Sequence, residues 1–254
     1  MEEKNITYTE LIKALRDLKV PKGGILMVHS SMKAFGRPVE GGAEAVLDCL
    51  AEVIGEGGTL LMPTLSFSSV DEAAPVLDLA NTPSDCGILT NLLRRREGAV
   101  RSCHIVSSAC AWGKDAEWLT EYHLDTPCGE KTPYGKVISS DGYVLFLGAE
   151  FRSNTLFHAA EEAEQRPYFS YAQISGARII RPDGTEFTNT FRRYNCSQTG
   201  VRRYLQKMEA VFEERGVLRR VLLGNSVLTL IRAKDDFEIS REILRNRVEY
   251  ILNP

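Results

Sequence analysis

Two short apolar runs, Ile25-Leu-Met-Val28 and Thr59-Leu-Leu-Met62, joined by a loop, an amphipathic stretch and a glycine-rich stop, limit this chain more than any other feature. Fully apolar runs bounded by turn residues, here Pro21-Lys-Gly-Gly24 before the first, read as strands buried on both faces. Between them, Gly41-Gly42 opens a helical pattern over residues 43–54. Val46, Leu47, Leu50 and Val53 form its inner face, and Gly55-Glu-Gly-Gly58 stops it. Strand, loop, helix, turn, strand within about 40 residues is the rhythm of an α/β sheet. Ligands of such sheets bind outside the carboxyl ends of the strands. That rule sets His29-Ser30-Ser31 and Pro63-Thr64-Leu65-Ser66-Phe67 beside one ligand. Hydroxyls at the end of a buried strand, with Gly36 closing the loop, make a phosphate or carbonyl cradle. The same residues also describe a capped turn holding a buried histidine.

The remaining pattern predicts a helix over residues 9–18, with Leu11, Ile12, Leu15 and Leu18 inward and Thr7 or Thr9 as its cap. A loop is expected over 66–78 and a helix over 88–95, running into the basic Arg94-Arg95-Arg96. A strand follows within 99–112 and a short helix within 113–124. Residues 131–135 read as a turn, with strand pieces at 137–139 and 142–147. Residues 171–180 and 186–193 read as a hairpin turned by Arg181-Pro-Asp-Gly184. An amphipathic helix is expected over 200–215, strands within 217–231 and a closing helix over 237–251. With no internal repeat, low-complexity tract or linker composition, residues 1–254 read as a single domain.

The stretch richest in chemistry is Gly148-Ala-Glu-Phe-Arg-Ser-Asn-Thr-Leu-Phe-His158-Ala-Ala-Glu161-Glu162, which follows the apolar Tyr143-Val-Leu-Phe-Leu147. Ser153, Asn154 and Thr155 offer N-cap chemistry to a helix over residues 156–165. On that helix His158 and Glu161 share a face. A carboxylate beside an imidazole holds its tautomer and raises its basicity, as a general base near neutral pH requires. A surface ion pair would show the same spacing.

Composition excludes other classes. A net charge of −3 gives no electrostatic case for nucleic acid or an anionic membrane. No apolar run approaches the roughly 18 residues of a membrane span, and Met1-Glu-Glu-Lys-Asn-Ile-Thr lacks the apolar core of a signal peptide. The six cysteines (Cys49, Cys86, Cys103, Cys110, Cys128 and Cys196) form no CxxC pair, which argues for reduced thiols in a cytoplasmic protein.

Several segments, in order, resemble the aminoglycoside N3-acetyltransferase family, whose fold is unrelated to the GNAT acetyltransferases. They are His29-Ser30-Ser31 with Phe35-Gly36 and Gly41-Gly42; Thr59-Leu-Leu-Met-Pro63-Thr64 with Phe67; and Pro83-Ser84 through Gly87-Ile88-Leu89. Arg101-Ser102-Cys103-His104, Asp125-Thr126-Pro127 with Gly129, and Ser153-Asn154-Thr155 with His158 and Glu161 complete the set. The likeness weakens after about residue 195. It implies an α/β fold with a mixed central sheet flanked by helices, and acetyl-CoA as co-substrate with no metal. It implies His158 as the catalytic histidine and Glu161 as its carboxylate partner. Ser30, Ser31, Lys33 and Gly36 would lie near the coenzyme phosphates. Thr64, Gly87, Ile88, Val106, Ser107 and Ser108 would line the pantetheine arm. Asp125, Thr126 and Asn154 would face the acceptor, with Asp125 either a structural cap or part of the site wall. A homodimer fits the resemblance.

The sequence departs from the family after the Arg-Ser pair, where His104-Ile-Val-Ser107-Ser108 lacks the usual proline and second histidine. Cys128 stands where a larger, often aromatic residue is common, and the chain is slightly short. These departures touch the acceptor side. Beside acetyl transfer to an aminoglycoside amine stand transfer to a different, non-antibiotic amine and a CoA-binding protein without turnover. A cysteine–histidine acyl enzyme would use Cys128 or Cys103 with His158 as base. A metal-dependent hydrolase on His29, His104, His123 or His158 has no HExxH or paired-histidine spacing behind it.

Overall fold

In the computed structural model, which describes residues 4–71, 73–195 and 200–252, the chain winds around a mixed seven-stranded sheet. Helix α1 (Tyr8–Asp17) precedes strand β1 (Ile25–Ser30), helix α2 (Gly42–Ile54) and strand β2 (Thr59–Pro63). A short β3 (Val76–Asp78), α3 (Ile88–Leu93), β4 (Val100–Arg101), β5 (Ala109–Gly113), α4 (Ala116–Thr120) and α5 (Pro133–Ser139) lead to β6 (Tyr143–Leu147). Then come α6 (Phe157–Glu164), the hairpin β7 (Tyr171–Ile180) and β8 (Glu186–Tyr194), and α7 (Met208–Glu214). Strands β9 (Arg219–Leu223) and β10 (Ser226–Arg232) and helices α8 (Ala233–Asn246) and α9 (Glu249–Leu252) end the described chain. The main sheet runs β4-β5-β2-β1-β6-β10-β9, with β1 parallel to β2 and β6 and the outer pairings antiparallel. The mixed α/β architecture is the one expected from the sequence.

The apolar strands are apolar throughout because both faces are covered. Leu26 and Val28 of β1, Leu60 and Met62 of β2, and Leu145 and Leu147 of β6 pack into one core with α1, α2 and α3. Their alternate neighbours Ile25, Met27, Leu61, Val144 and Phe146 pack into a second core with α5, α6 and α8. Side chains alternate along a strand, so His29 falls on the second face, where its ring stacks on Phe146 at 5.3 Å. The site-bearing helix α6 packs on that face.

A separate three-stranded sheet, β3-β7-β8, has its own small core around Leu77, Ile105, Ile174, Ile179 and Phe191. The predicted hairpin forms with the expected turn. The loop predicted over 66–78 contributes β3, whose pairing with β7 has no local sequence signal. The strand predicted within 99–112 is two strands, β4 and β5, separated by a loop.

Three further expectations change. Residues 131–139 were expected as turn and strand. They form α5, because Pro133 stands at the first turn and the Thr132 hydroxyl accepts the Gly135 amide at 3.4 Å. Residues 151–153 make a 3-10 turn, and α6 starts at Phe157 with no side-chain cap, so Ser153, Asn154 and Thr155 do not cap it. The predicted helix over 200–215 is a 3-10 turn, Leu205–Lys207, followed by α7.

Strand β6 ends at Gly148, where the backbone leaves the sheet with φ +73°. A β-carbon there would sit 2.7 Å from the Ser31 carbonyl oxygen, because the loops after β1 and β6 touch at this point. Gly148→Ala therefore adds left-handed strain and a backbone clash, and is expected to cost about 2–3 kcal/mol in urea unfolding. An unchanged denaturation midpoint would show that the two loops are not locked together.

Candidate active site

The helix α6 carries His158 and Glu161 on one face, three residues apart, as the spacing requires. The His158 Nδ1–H donates to Glu161 Oε2 at 2.6 Å. Glu161 is fully buried. The Tyr168 hydroxyl donates to its Oε1 at 2.7 Å, and the Arg203 guanidinium lies 3.0 and 3.1 Å from its two oxygens. Burial pushes this carboxyl up, but the hydrogen bond and charge of His158, the Arg203 cation and the Tyr168 hydroxyl outweigh it and hold the group below its ordinary 4.5. An ionised carboxylate only accepts. The hydrogen of this bond therefore sits on Nδ1 of His158, and in the neutral imidazole the lone pair falls to Nε2.

His158 is partly exposed, at 23% of its side chain, and faces a cavity of about 300 Å³. The cavity is lined by Ser30, Cys86, Ser107, Arg152, Thr155 and Tyr194, among others, at the carboxyl ends of β1 and β2. Arg152 is its charged lining side chain, and it is paired with Glu150 at 3.1 Å.

A second cavity, of about 900 Å³, opens on the neighbouring face of α6. Asp125, Glu130 and Glu162 supply its acids, Lys131 and Arg192 its bases, and Tyr122, Tyr171 and Phe237 its aromatic surface. Burial raises the Glu162 carboxyl, against hydrogen bonds from the Tyr194 hydroxyl at 2.7 Å and the Cys128 amide at 2.5 Å. Cys128 lines both cavities and so stands in their shared wall.

Of the residues singled out in the sequence, His158 and Glu161 are brought together, and Ser30 and Ser107 join them around the smaller cavity. Ser31 lies just behind, at the start of the 3-10 turn after β1. Asp125 and Thr126 line the larger cavity. Thr64, Val106 and Ser108 are buried, and Thr64 and Ser108 are bonded to each other and to Arg101. Gly87 leads into α3 and Ile88 is exposed, while their neighbours Cys86 and Thr90 reach the cavity. Lys33 lies on a surface dent with Arg37, and Gly36 packs on Asn225. Asn154 borders the smaller cavity, but its amide donates to both Asp236 oxygens at 2.8 and 3.1 Å and its oxygen accepts the Leu156 amide.

Three other histidines are held neutral by burial. His29 falls to about 3, and its Nε2 accepts the Thr155 amide at 3.4 Å. His104 falls to about 4, and His123, against it at 4.8 Å, falls well below 6.5. Among the described residues no group of three or more His, Cys, Asp or Glu side chains is placed to hold a metal ion. Burial raises the Cys128 thiol far above 9, with the Glu162 charge adding to it, and Sγ points at the Thr155 carbonyl. A thiol so placed is a poor nucleophile, which removes the support for an acyl enzyme at Cys128. The described cysteines are free thiols, and Cys196 lies outside the described residues. No helix among the described residues is long and apolar enough to cross a membrane.

Tyr168, Arg203, Tyr194 and Arg192 are not marked by the sequence, whereas Glu162 belongs to the acidic cluster of Glu150, Glu161, Glu162 and Glu164 around the histidine. Tyr168 and Arg203 lie outside the helix whose periodicity drew attention, and only the fold brings Arg203 to Glu161.

The family model described as aminoglycoside 3-N-acetyltransferase matches residues 27–245. An aminoglycoside N(3′)-acetyltransferase-like protein of Bacillus subtilis (strain 168) is 34% identical over 176 residues, 61% of this chain. The chain spans 64% of that relative's length, less than two thirds. Aminoglycoside N(3)-acetyltransferase IV of Salmonella sp. is 31% identical over 232 residues, covering 89% of this chain and 82% of that protein. The solved structure of AAC-IIIb with CoASH superposes with a TM-score of 0.83 at 25% identity, covering 99% of each chain.

The protonation states set an acid profile. His29 and His104 take up a proton at 6.5 when unfolded but only near 4 or 3 when folded, so stability falls as pH drops below about 6.5. Glu161 acts lower: its folded value lies below 4.5, so its contribution is present above that value and is lost as pH falls through the folded one. Chemical unfolding at a series of pH values should show both losses. Glu161→Gln should cost about 3 kcal/mol at neutral pH, keep the first loss and show a smaller second one, the remainder coming from other carboxyls held low, such as Glu164 and Asp78.

Proposed function

The chain belongs to the aminoglycoside 3-N-acetyltransferase family, and from that premise we propose that it transfers an acetyl group from acetyl-CoA to an aminoglycoside amine. The acceptor atom is the 3-amino nitrogen of the 2-deoxystreptamine ring. His158 is the general base of a direct attack, with Glu161 as its orienting partner. The observation that carries this reading is the His158–Glu161 bond beside a cavity that His158 lines. The CoA-bound relative of the same fold supports the donor.

An aminoglycoside amine is mostly ammonium at neutral pH and must lose a proton before it can attack. That first proton goes to solvent; Nε2 of His158 then accepts a second, directly or through water, as the neutral amine nitrogen bonds to the thioester carbonyl carbon. Glu161 stabilises the imidazolium that forms, and Arg203 and Tyr168 keep the carboxylate in place. When the tetrahedral intermediate collapses, the C–S bond breaks and the proton passes from His158 to the departing CoA thiolate. The oxyanion needs donors, which the Ser30 and Ser107 hydroxyls at the same cavity offer. The smaller cavity, which His158 lines, suits the acetyl-CoA arm. The larger one, with Glu130 and Glu162, suits a cationic acceptor.

His158→Ala should lower CoA thiol release in the presence of gentamicin by about 100-fold or more, while acetyl-CoA still binds. A variant that keeps its rate would remove His158 from the base role. Binding of acetyl-CoA without turnover on any amine would support a CoA-binding protein, and no binding would overturn the donor assignment.

A further inference from the structure

We propose that His104 is a positioning residue for both cavities. One ring nitrogen sets the Ser107 segment of the smaller cavity, and the other sets strand β8 at Arg192 of the larger. This deepens the reading of the two cavities as donor and acceptor sites and rests on it. His104 is fully buried in the loop between β4 and β5. The Ser107 and Val106 amides donate to its Nδ1 at 3.0 and 3.4 Å. An amide only donates, so Nδ1 is the acceptor and the ring hydrogen sits on Nε2. That Nε2–H donates to the Arg192 carbonyl at 3.0 Å. The ring lines neither cavity, so it acts through the residues it binds.

Those residues do reach the cavities. Ser107 lines the smaller one, and its carbonyl accepts the Tyr134 hydroxyl at 3.2 Å. On the other side, β8 is an edge strand of the smaller sheet. At Arg192 its amide donates to the Asp125 carbonyl at 2.9 Å, and its carbonyl receives His104. The Arg192 guanidinium forks the Asp125 carboxylate at 2.7 and 2.5 Å, and both side chains line the larger cavity.

A second imidazole repeats the link. The His123 ring lies 4.8 Å from that of His104. Its Nε2–H donates to the Pro127 carbonyl at 2.9 Å, and its Nδ1 accepts the Ser102 hydroxyl at 2.8 Å. Ser102 Oγ in turn accepts the Ala109 amide at 2.9 Å. Two stacked, neutral rings thus span the gap between residues 102–109 and the wall built by β8 and the 122–128 segment. A histidine that merely filled the core would lower every kinetic constant alike when altered. A positioning role assigns each nitrogen to a different one.

The test exploits the shapes of the two side-chain amides. His104→Asn keeps an acceptor near the place of Nδ1 and has nothing at Nε2, whereas His104→Gln reaches the place of Nε2 and leaves the Ser107 amide unpaired. CoA thiol release from acetyl-CoA with gentamicin, and calorimetric binding of gentamicin, are measured below the melting temperature of each variant. His104→Gln should lower kcat about tenfold and move the gentamicin Kd no more than about twofold, the loss expected for one buried hydrogen bond. His104→Asn should weaken gentamicin about tenfold, with the smaller effect on kcat. Equal effects of the two variants on both constants, or no effect of either, would overturn the link. The wild type supplies a reading independent of variant folding: the His104 ring nitrogen resonances should shift on binding gentamicin alone and on binding CoA alone. A shift with neither ligand, or with one only, also overturns it. The two readings fail separately. If the wild type releases no CoA, acetyl transfer falls, while gentamicin binding and the ring resonances still test the link. If it turns over and the variants do not split, the link falls and acetyl transfer stands.

Discussion

A fully buried carboxylate is the constraint on which this site depends. Left alone in a protein interior, Glu161 would cost several kcal/mol and would sooner take up a proton. It stays ionised because an imidazole, a phenol and a guanidinium converge on it. Those donors come from three places in the chain: the helix itself, the segment after it, and Arg203, 42 residues away. Arg203, in the stretch 201–204 that lies outside any helix or strand, is tied to Glu161, while the Tyr204 amide is bound to the Ile251 carbonyl. The same carboxylate that sets the tautomer of His158 thus also holds Arg203 beside it.

The helix must also be aimed, and two buried polar contacts do that from the strand ends. His29 at the end of β1 accepts the Thr155 amide, and its neutrality makes that possible, since an imidazolium could not accept. On the other side, Asn154 binds Asp236 of α8, a buried acid raised to about 7 by desolvation and anchored also by Ser240. Asn154 thus joins the start of α6 to the helix packed behind it. The amide of Asn154 is already committed to this work, so its contribution to the site is to position the backbone before His158.

What was legible in the sequence follows from what is local. Strands β1, β2 and β6 showed themselves because both of their faces are buried, and the His158–Glu161 pair because a helix repeats every three to four residues. Fully apolar strands, however, do not say which face points where, so the side on which His29 lies required the sheet. Helix α5 is not legible because Pro133 and Gly135 read as turn residues, although Pro133 is the first residue of a capped helix. The Glu161 partners could not be read at all, since no spacing links Arg203 to an acid on α6. Family likeness supplied Asp125 and Thr126 as site residues, but not that Asp125 arrives already paired.

His158 and Glu162 are four residues apart and would share a face of an isolated helix, yet they serve different cavities. Tyr194 divides them: its ring lies 4.8 Å from that of His158, and its hydroxyl binds Glu162. Tyr194 ends β8, the strand that also carries Arg192. His158 and Glu161 are thus mounted on α6, whereas the 122–131 segment, with Tyr171 and Arg192 of the smaller sheet, contributes to the larger cavity. Helix α6 lines both cavities, and Tyr194 of the hairpin lies against His158, so a change in the hairpin reaches the His158 side as well.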